Sequence, residues 1–449
     1  MAPHLSRSAL IRLLSGEAAQ TEVDGMVPHL VACRPCWELA AGVVAELKKD
    51  KVLAYSADAR TAVLRLLEVE ERAARDLLKA RGWWAELKAM SPEEQIDRIR
   101  SVAAMRTPAL FEVVLAEART VAPGDPFLGE QTAHVAHVLA GLLPSPRYPE
   151  EFKSDLQAEA MIAIANCRRL AADWKGSRAA LSAARNLLDR GSGDPAHQAS
   201  FLSIGASLAM DTGNFEAALG LLGRSGELWR HARNPAGLST VVVQEASTLL
   251  AAYRHEEAVT RANEALAMLP PGEIRLEMLA RSIITESLVY LGRPSEALRS
   301  FVATRPIYEQ FWSRRMELRV GYLEALLLDS LGCIRESEKA FREVIGGYLE
   351  EELYKDAFLT LLTFFEILFK RGAFRKAKQV YKQAAGVLVQ AGSGSHEQMR
   401  QVWRHLLQQM ERESLKEYQL QEVRQYVCRH WNTPAPRPPS FHDLPAAPS

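Results

Sequence analysis

The sequence predicts an all-α protein: a small N-terminal helical module built round a metal site, then a long α-solenoid of helix-turn-helix repeats. Three observations predict it. Beyond residue 35, apolar residues recur at i, i+3, i+4 and i+7 in nearly every segment, and no run alternates with period two long enough to make a sheet. A turn followed by a small residue on the next helix returns about every 40 residues. One set of soft metal ligands, spaced H-x3-C-x2-C, stands near the N-terminus.

Composition narrows the function. In 449 residues, 55 Lys and Arg balance 55 Asp and Glu, so no net field attracts nucleic acid or anionic lipid. Aromatics are only 7%, which favours helix over sheet. Five Cys cannot form a disulfide framework, so a reducing, cytoplasmic setting is expected. Cys167, Cys333 and Cys428 are expected as small core hydrophobes. The greasiest run, FLTLLTFFEILF from Phe358 to Phe369, is shorter than a membrane span and contains Glu366, so it reads as a buried helix. Arg7 and Arg12 leave an amphipathic transit peptide open, while Glu17 argues against it and the apolar stretch is too broken for a signal peptide. With no strand to seat a phosphate loop and no nucleophile–base constellation, an enzyme is not expected.

Residues 1–50 form the first element. HLVACRPC places His29, Cys33 and Cys36 at i, i+4 and i+7, one face of a helix, and two thiolates with an imidazole are a zinc-type set. Tetrahedral closure needs a fourth ligand. His4, ahead of a predicted helix over 6–14, is the candidate, with Glu22, Asp24 or a water as competitors. Four protein ligands make a closed, structural Zn2+ site. A dithiol redox pair, or plain core cysteines, are the other readings of Cys33 and Cys36. With its upstream His, this stretch resembles the zinc-binding anti-sigma finger family of bacteria over about residues 4–45. The resemblance implies a small helical bundle that binds a sigma factor. Many members continue into a membrane span; this chain continues into repeats.

Residues 51–90 read as a helical connector, with a helix over 58–80 and the Trp83-Trp84 pair as a buried staple or an exposed patch. From residue 91 the array begins. Ser91-Pro92-Glu93-Glu94 is a helix start, Pro108 starts another, and Pro123 to Pro126 stops it. The stacked units follow at TGNFEAAL (212–219), AYRHEEAV (252–259), LGRPSEAL (291–298), LGCIRESE (331–338) and RGAFRKAK (371–378). Their small residues are Ala218, Ala258, Ala297, Ser337 and Ala377, with Ala180 in a weaker preceding unit. Four residues on come Leu222, Ala262, Phe301, Phe341 and Tyr381. Gly213, Gly292, Gly332 and Gly372 mark the turns, and Tyr253 replaces one of them.

This pattern resembles the tetratricopeptide repeat over roughly residues 150–392, within an array spanning 91–392. The period is longer than the family's usual one, which a helix-turn-helix stack accommodates in its loops or its helices. The resemblance implies a groove lined by the first helices of the hairpins, holding a protein or peptide partner. Counting back from the turn glycines places Ser207, Glu286, Arg319, Tyr322, Asp329 and Glu366 there. The set lacks the Lys/Arg concentration that clamps a terminal carboxylate, so a longer peptide or a helix is the expected occupant. As solvated residues, Glu286, Tyr322 and Asp329 are expected to be replaceable together with little effect on melting.

Residues 393–431 read as a capping helix for the final hairpin, and 432–449 as a disordered Pro-rich tail. Function is expected to be a non-enzymatic interaction scaffold in bacterial regulation. The alternative is a soluble anti-sigma-like regulator.

Overall fold

The computed structural model describes residues 4–15, 57–145, 147–310, 313–390 and 417–430, with single positions between 18 and 43 and at 404, 406 and 408. The Lys48 to Lys51 run, Asp24, the glycine-serine loop at 391–395, the tail from 432 and the Cys428 side chain lie outside them. The described residues contain helix and no strand. They form two compact units, Met1–Met90 and Ser91–Ser449.

The first unit holds α1 (Arg7–Ser15), helical positions from 22 to 43, and α2 (Ala57–Leu87). Among the described residues, its N-terminal part buries Leu10, Cys36, Ala40 and Val43 together, flanked by Leu5, Ile11, Leu13 and Cys33.

The second unit opens with α3 (Pro92–Ser101), whose Ser91 cap and Glu94 form a reciprocal capping box. Then come α4 (Pro108–Val121) and α5 (Pro126–Gly141), capped by Thr107 and Asp125. Six hairpins follow: α6 (Glu150–Leu170) with α7 (Trp174–Leu188), α8 (Pro195–Asp211) with α9 (Phe215–His231), α10 (Pro235–Ala251) with α11 (His255–Met268), α12 (Ile274–Tyr290) with α13 (Pro294–Gln310), α14 (Arg314–Ser330) with α15 (Ile334–Glu350), and α16 (Tyr354–Lys370) with α17 (Phe374–Gln390). A last helix, α18, spans Glu417–His430.

From α8 onward nearly every helix has 17 residues and nearly every connection has three. The long repeat therefore comes from long helices, and the loops are short. Each fully described three-residue turn closes the same way. The Gly213 N–H reaches the Met210 carbonyl and the Asn214 N–H reaches Ala209; Tyr253 and Arg254 repeat this on Leu250 and Leu249. This is a Schellman closure, which needs one residue with positive φ. Glycine fills that position at 213, 292, 332 and 372, whereas Ala172, Arg233, Tyr253 and Glu352 adopt it with a side chain.

The small residues do what the pattern requires. Ala218, Ala258, Ala297 and Ala377 are fully buried, and Ser337 turns its hydroxyl to the Ala325 carbonyl at 2.9 Å. Cβ-sized side chains let two helices of a hairpin approach closely. Phe301, Phe341 and Tyr381 fill the space towards the next hairpin, and Phe341 stacks on Phe364 at 5.0 Å. The greasy run lies within α16 and buries Phe358, Leu361, Leu362, Phe364, Phe365 and Leu368. Cys167 is buried as expected, but Cys333 is exposed: it caps the start of α15, just after the Gly332 turn, and faces no core.

First helices of successive hairpins touch one another, so their side forms the inner face of the stack. The stack also winds back on itself. Arg315 Nη1 donates to the Pro123 carbonyl at 3.3 Å, and Lys355 sits 5.3 Å over the Trp174 ring.

Candidate metal centre and inner face

In the N-terminal unit, Ser6 Oγ accepts from the Ala9 N–H at 3.2 Å and opens α1. His4, two residues earlier, brings Nδ1 to 3.2 Å from Cys33 Sγ and 3.5 Å from Cys36 Sγ. His29 Nε2 lies 3.3 Å from Cys36 Sγ. One ligand atom from each of the four residues lies within 4.8 Å of all the others. Around a tetrahedral ion, with sulfur at about 2.3 Å and nitrogen at about 2.0 Å, the N···S separation is about 3.5 Å. The side chains stand close to that arrangement. The two imidazoles meet edge-on at 6.3 Å, leaving the space between them to the sulfurs.

Burial pushes the Cys36 thiol up, the Leu5 N–H pulls it down by donating to Sγ at 3.2 Å, and Cys33 pushes it up again. As thiolates, two sulfurs this close would need a cation between them. Glu22, a competitor for the fourth position, is engaged elsewhere: it accepts from Arg12 at 2.8 Å and from the Ala19 N–H at 3.2 Å. His134 and His137 stack on each other at 6.4 Å, and His137 Nδ1 lies 3.3 Å from the Gln157 carbonyl.

On the array, four of the six positions counted from the turns come together. Arg319 donates to Glu286 at 2.6 Å, the Tyr322 hydroxyl donates to Glu286 at 3.4 Å, and the Arg319 guanidinium lies 5.4 Å from the Tyr322 ring. Tyr322 also meets Tyr290 at 3.4 Å and Thr363 at 3.5 Å. Glu366, one turn from Thr363 on α16, pairs with Lys370 at 3.0 Å. Asp329 stands apart, paired with Arg371. Ser207 accepts from Gln244 at 3.3 Å.

The expectation of a solvated set fails for three of these residues. Glu286 and Tyr322 are each 7% exposed and Glu366 is 5% exposed, because neighbouring first helices close over them. The Glu286, Tyr322 and Asp329 triple change would therefore cost substantial stability.

Sequence reasoning missed five members of the same cluster. His255 stacks on Tyr290 at 4.8 Å, with Tyr253 edge-on to both. Burial pushes the Tyr290 and Tyr322 phenols up, and pushes the His255 imidazole down against the pull of Glu286 and Glu366. Thr363 accepts from Arg424 of α18, whose guanidinium lies within electrostatic reach of Tyr253, Tyr290, Tyr322 and Glu366. One signal was available: Tyr253 holds a φ of +61° at the turn position that four of the other five hairpins fill with glycine. A side chain kept in that conformation has a use elsewhere.

Helix α18 packs along α16 of the final hairpin, and its Arg424 reaches the aromatic cluster.

No protein-family model matches the sequence, and no curated protein matches it. Among solved structures the chain is similar to a Rap protein complexed with competence and sporulation factor, at 15% identity and a TM-score of 0.54, over 71% of this chain and 86% of that one. It is also similar to aspartyl phosphate phosphatase F from Bacillus subtilis, at 13% identity and a TM-score of 0.50, over 86% of this chain and 96% of that one. At such identity the likeness is one of fold: the chain carries an all-helical repeat stack of the kind these proteins share.

Proposed function

We propose that this chain is a non-enzymatic interaction scaffold of bacterial regulation, with a structural zinc ion in its N-terminal module and a protein or peptide segment on the inner face of its array. The observation that carries the zinc assignment is the convergence of His4, His29, Cys33 and Cys36. Four protein ligands leave no open position, so the ion would hold the module together and do no chemistry. Metal analysis of the purified full chain should give about one zinc per chain, lost in Cys36→Ala; under about a tenth of an equivalent in reducing buffer overturns the assignment.

The Glu286–Arg319–Tyr322 network, with Glu286 and Tyr322 buried and Arg319 exposed, and the Tyr253–His255–Tyr290 stack support the partner assignment. Hydrogen-bonding groups gathered on the face of a repeat stack are what a peptide backbone or helix needs. The Rap protein similar in fold was solved with a bound factor, which favours the same use here. Peptide-display selection against the full chain tests this. Selected sequences should lose binding to the Tyr322→Phe, Glu286→Gln protein and keep binding to a Cys36→Ala protein. Equal binding to all three would place the partner elsewhere.

A second reading, a soluble sigma-factor-binding module, is favoured by the ligand spacing alone. It predicts that the host's sigma factors bind the full chain and not its Cys36→Ala variant.

A further inference from the structure

Helix α18 buries a regular stripe: Leu420, Val423 and Val427, at i, i+3 and i+7, with Tyr426 beside them. Arg424 follows the middle residue of that stripe and enters the aromatic cluster. The receiver is arranged by the array's own residues. Arg319 and Tyr322 hold Glu286, Tyr322 holds Tyr290 and meets Thr363, and His255 stacks on Tyr290. A planar guanidinium suits phenol rings, a hydroxyl and the nearby Glu366 carboxylate in a way an ammonium does not.

The docking is also imperfect. Glu422 Oε2 of α18 is buried without a hydrogen-bond partner among the described residues, and burial pushes its carboxyl up. On the array, His255 Nδ1 is buried in the same state. Permanent core contacts rarely leave such atoms unsatisfied, and each one weakens the hold.

We propose that α18 is a built-in, displaceable occupant of the inner face, and that the partner of this face is an amphipathic helix with three apolar residues at i, i+3 and i+7 and an arginine after the middle one. The inference rests on the reading that the inner face receives a partner, and names that partner's chemistry. A tethered helix acts at a high local concentration, so a free partner must match its pattern to compete.

The probe is a fluorescent synthetic peptide of residues 415–430 with Cys428→Ser, titrated by anisotropy into the full chain. The Arg424→Glu and Arg424→Ala proteins should bind it at least about tenfold more tightly than the wild type, because their own helix is loosened. Replacing the arginine in the peptide with alanine should lose at least about tenfold, and lysine should restore little. In the wild type, excess peptide should speed amide hydrogen exchange in α18 and leave α16 protected. Equal affinity for wild-type and Arg424 variants, absence of binding to either variant, or indifference to the peptide's arginine overturns the proposal. If display-selected peptides lack the arginine yet still require Tyr322, the face binds a partner and only this inference falls.

Discussion

The N-terminal module and the repeat array are both helical, but different forces hold them. Among the described residues around 4–43, Leu10, Cys36, Ala40 and Val43 are buried together, with Leu5, Ile11, Leu13 and Cys33 packed against them. Beside them His4, His29, Cys33 and Cys36 converge, and a metal held there as proposed would tie the module together. In the array each hairpin buries alanines, phenylalanines and leucines against the next, so stability accumulates from neighbour to neighbour. A module closed by a metal, as proposed, would depend on one bond set. A region with much core spreads the same task over many contacts.

The largest expected effect breaks the module alone. Cys36→Ala, or chelation, should unfold residues 4–43, since structural zinc contributes on the order of 10 kcal/mol in small zinc domains. Hydrogen exchange should show the loss there while α6 to α17 keep their protection. A single cooperative loss of all helical signal would contradict the independence of the two regions.

Next comes a break in the array. Phe364→Ala removes a ring stacked on Phe341 in a fully packed site and should cost about 3–5 kcal/mol. Urea unfolding should show this loss with the zinc content unchanged.

The two regions should also respond to pH in opposite directions. In the array His197 pairs with Glu159 at 2.9 Å. Burial opposes the charged imidazole, but the Glu159 carboxylate overrides it and raises His197 above 6.5; the same pairing lowers Glu159 below 4.5. The His197 contribution is complete below pH 6.5 and fades as pH rises through the raised value. Melting followed from pH 6 upwards should therefore decline in the wild type and less so in His197→Gln. A zinc-bound module, as proposed, should instead weaken as pH falls, because protons compete with metal for imidazole and thiolate ligands.

The smallest effect sharpens the reading of the turns. Glu352 and Tyr253 share a positive φ, +56° and +61°. Glu352→Gly should relieve strain and stabilise by up to about 1 kcal/mol. Tyr253→Gly relieves the same strain but removes the ring contacts to His255 and Tyr290, so its melting temperature should fall. If both variants gain, Tyr253 is not held for its side chain.

The long period of the array was legible because close helix crossings demand small residues, and Ala218, Ala258 and Ala297 advertise it. The finer rhythm of a turn after every helix was hidden, because Arg233 and Glu352 adopt the glycine conformation without a glycine's signature. Ligand spacing announced the cluster at His29, Cys33 and Cys36, and a short run before a helix made His4 readable. Counting from turns found Glu286, Arg319, Tyr322 and Glu366. It could not show that Glu286, Tyr322 and Glu366 were buried, since burial depends on how closely successive first helices approach. Arg424 was beyond reach for another reason. It comes to Thr363 through a long tertiary return, and no local period records that.

Helices of equal length joined by three-residue turns also limit how such a chain can evolve. Inserting a single residue within a helix rotates everything after it by about 100°, turning buried faces to water. Few small insertions or deletions could survive between α8 and α17, and the array could lengthen or shorten only by whole hairpins. Even that would have a cost here. The residues around Arg424 come from α10 through α16, so gain or loss of one hairpin in that stretch would set the arginine against a different group of side chains. The number of hairpins between Tyr253 and Glu366 is in effect fixed by the last helix.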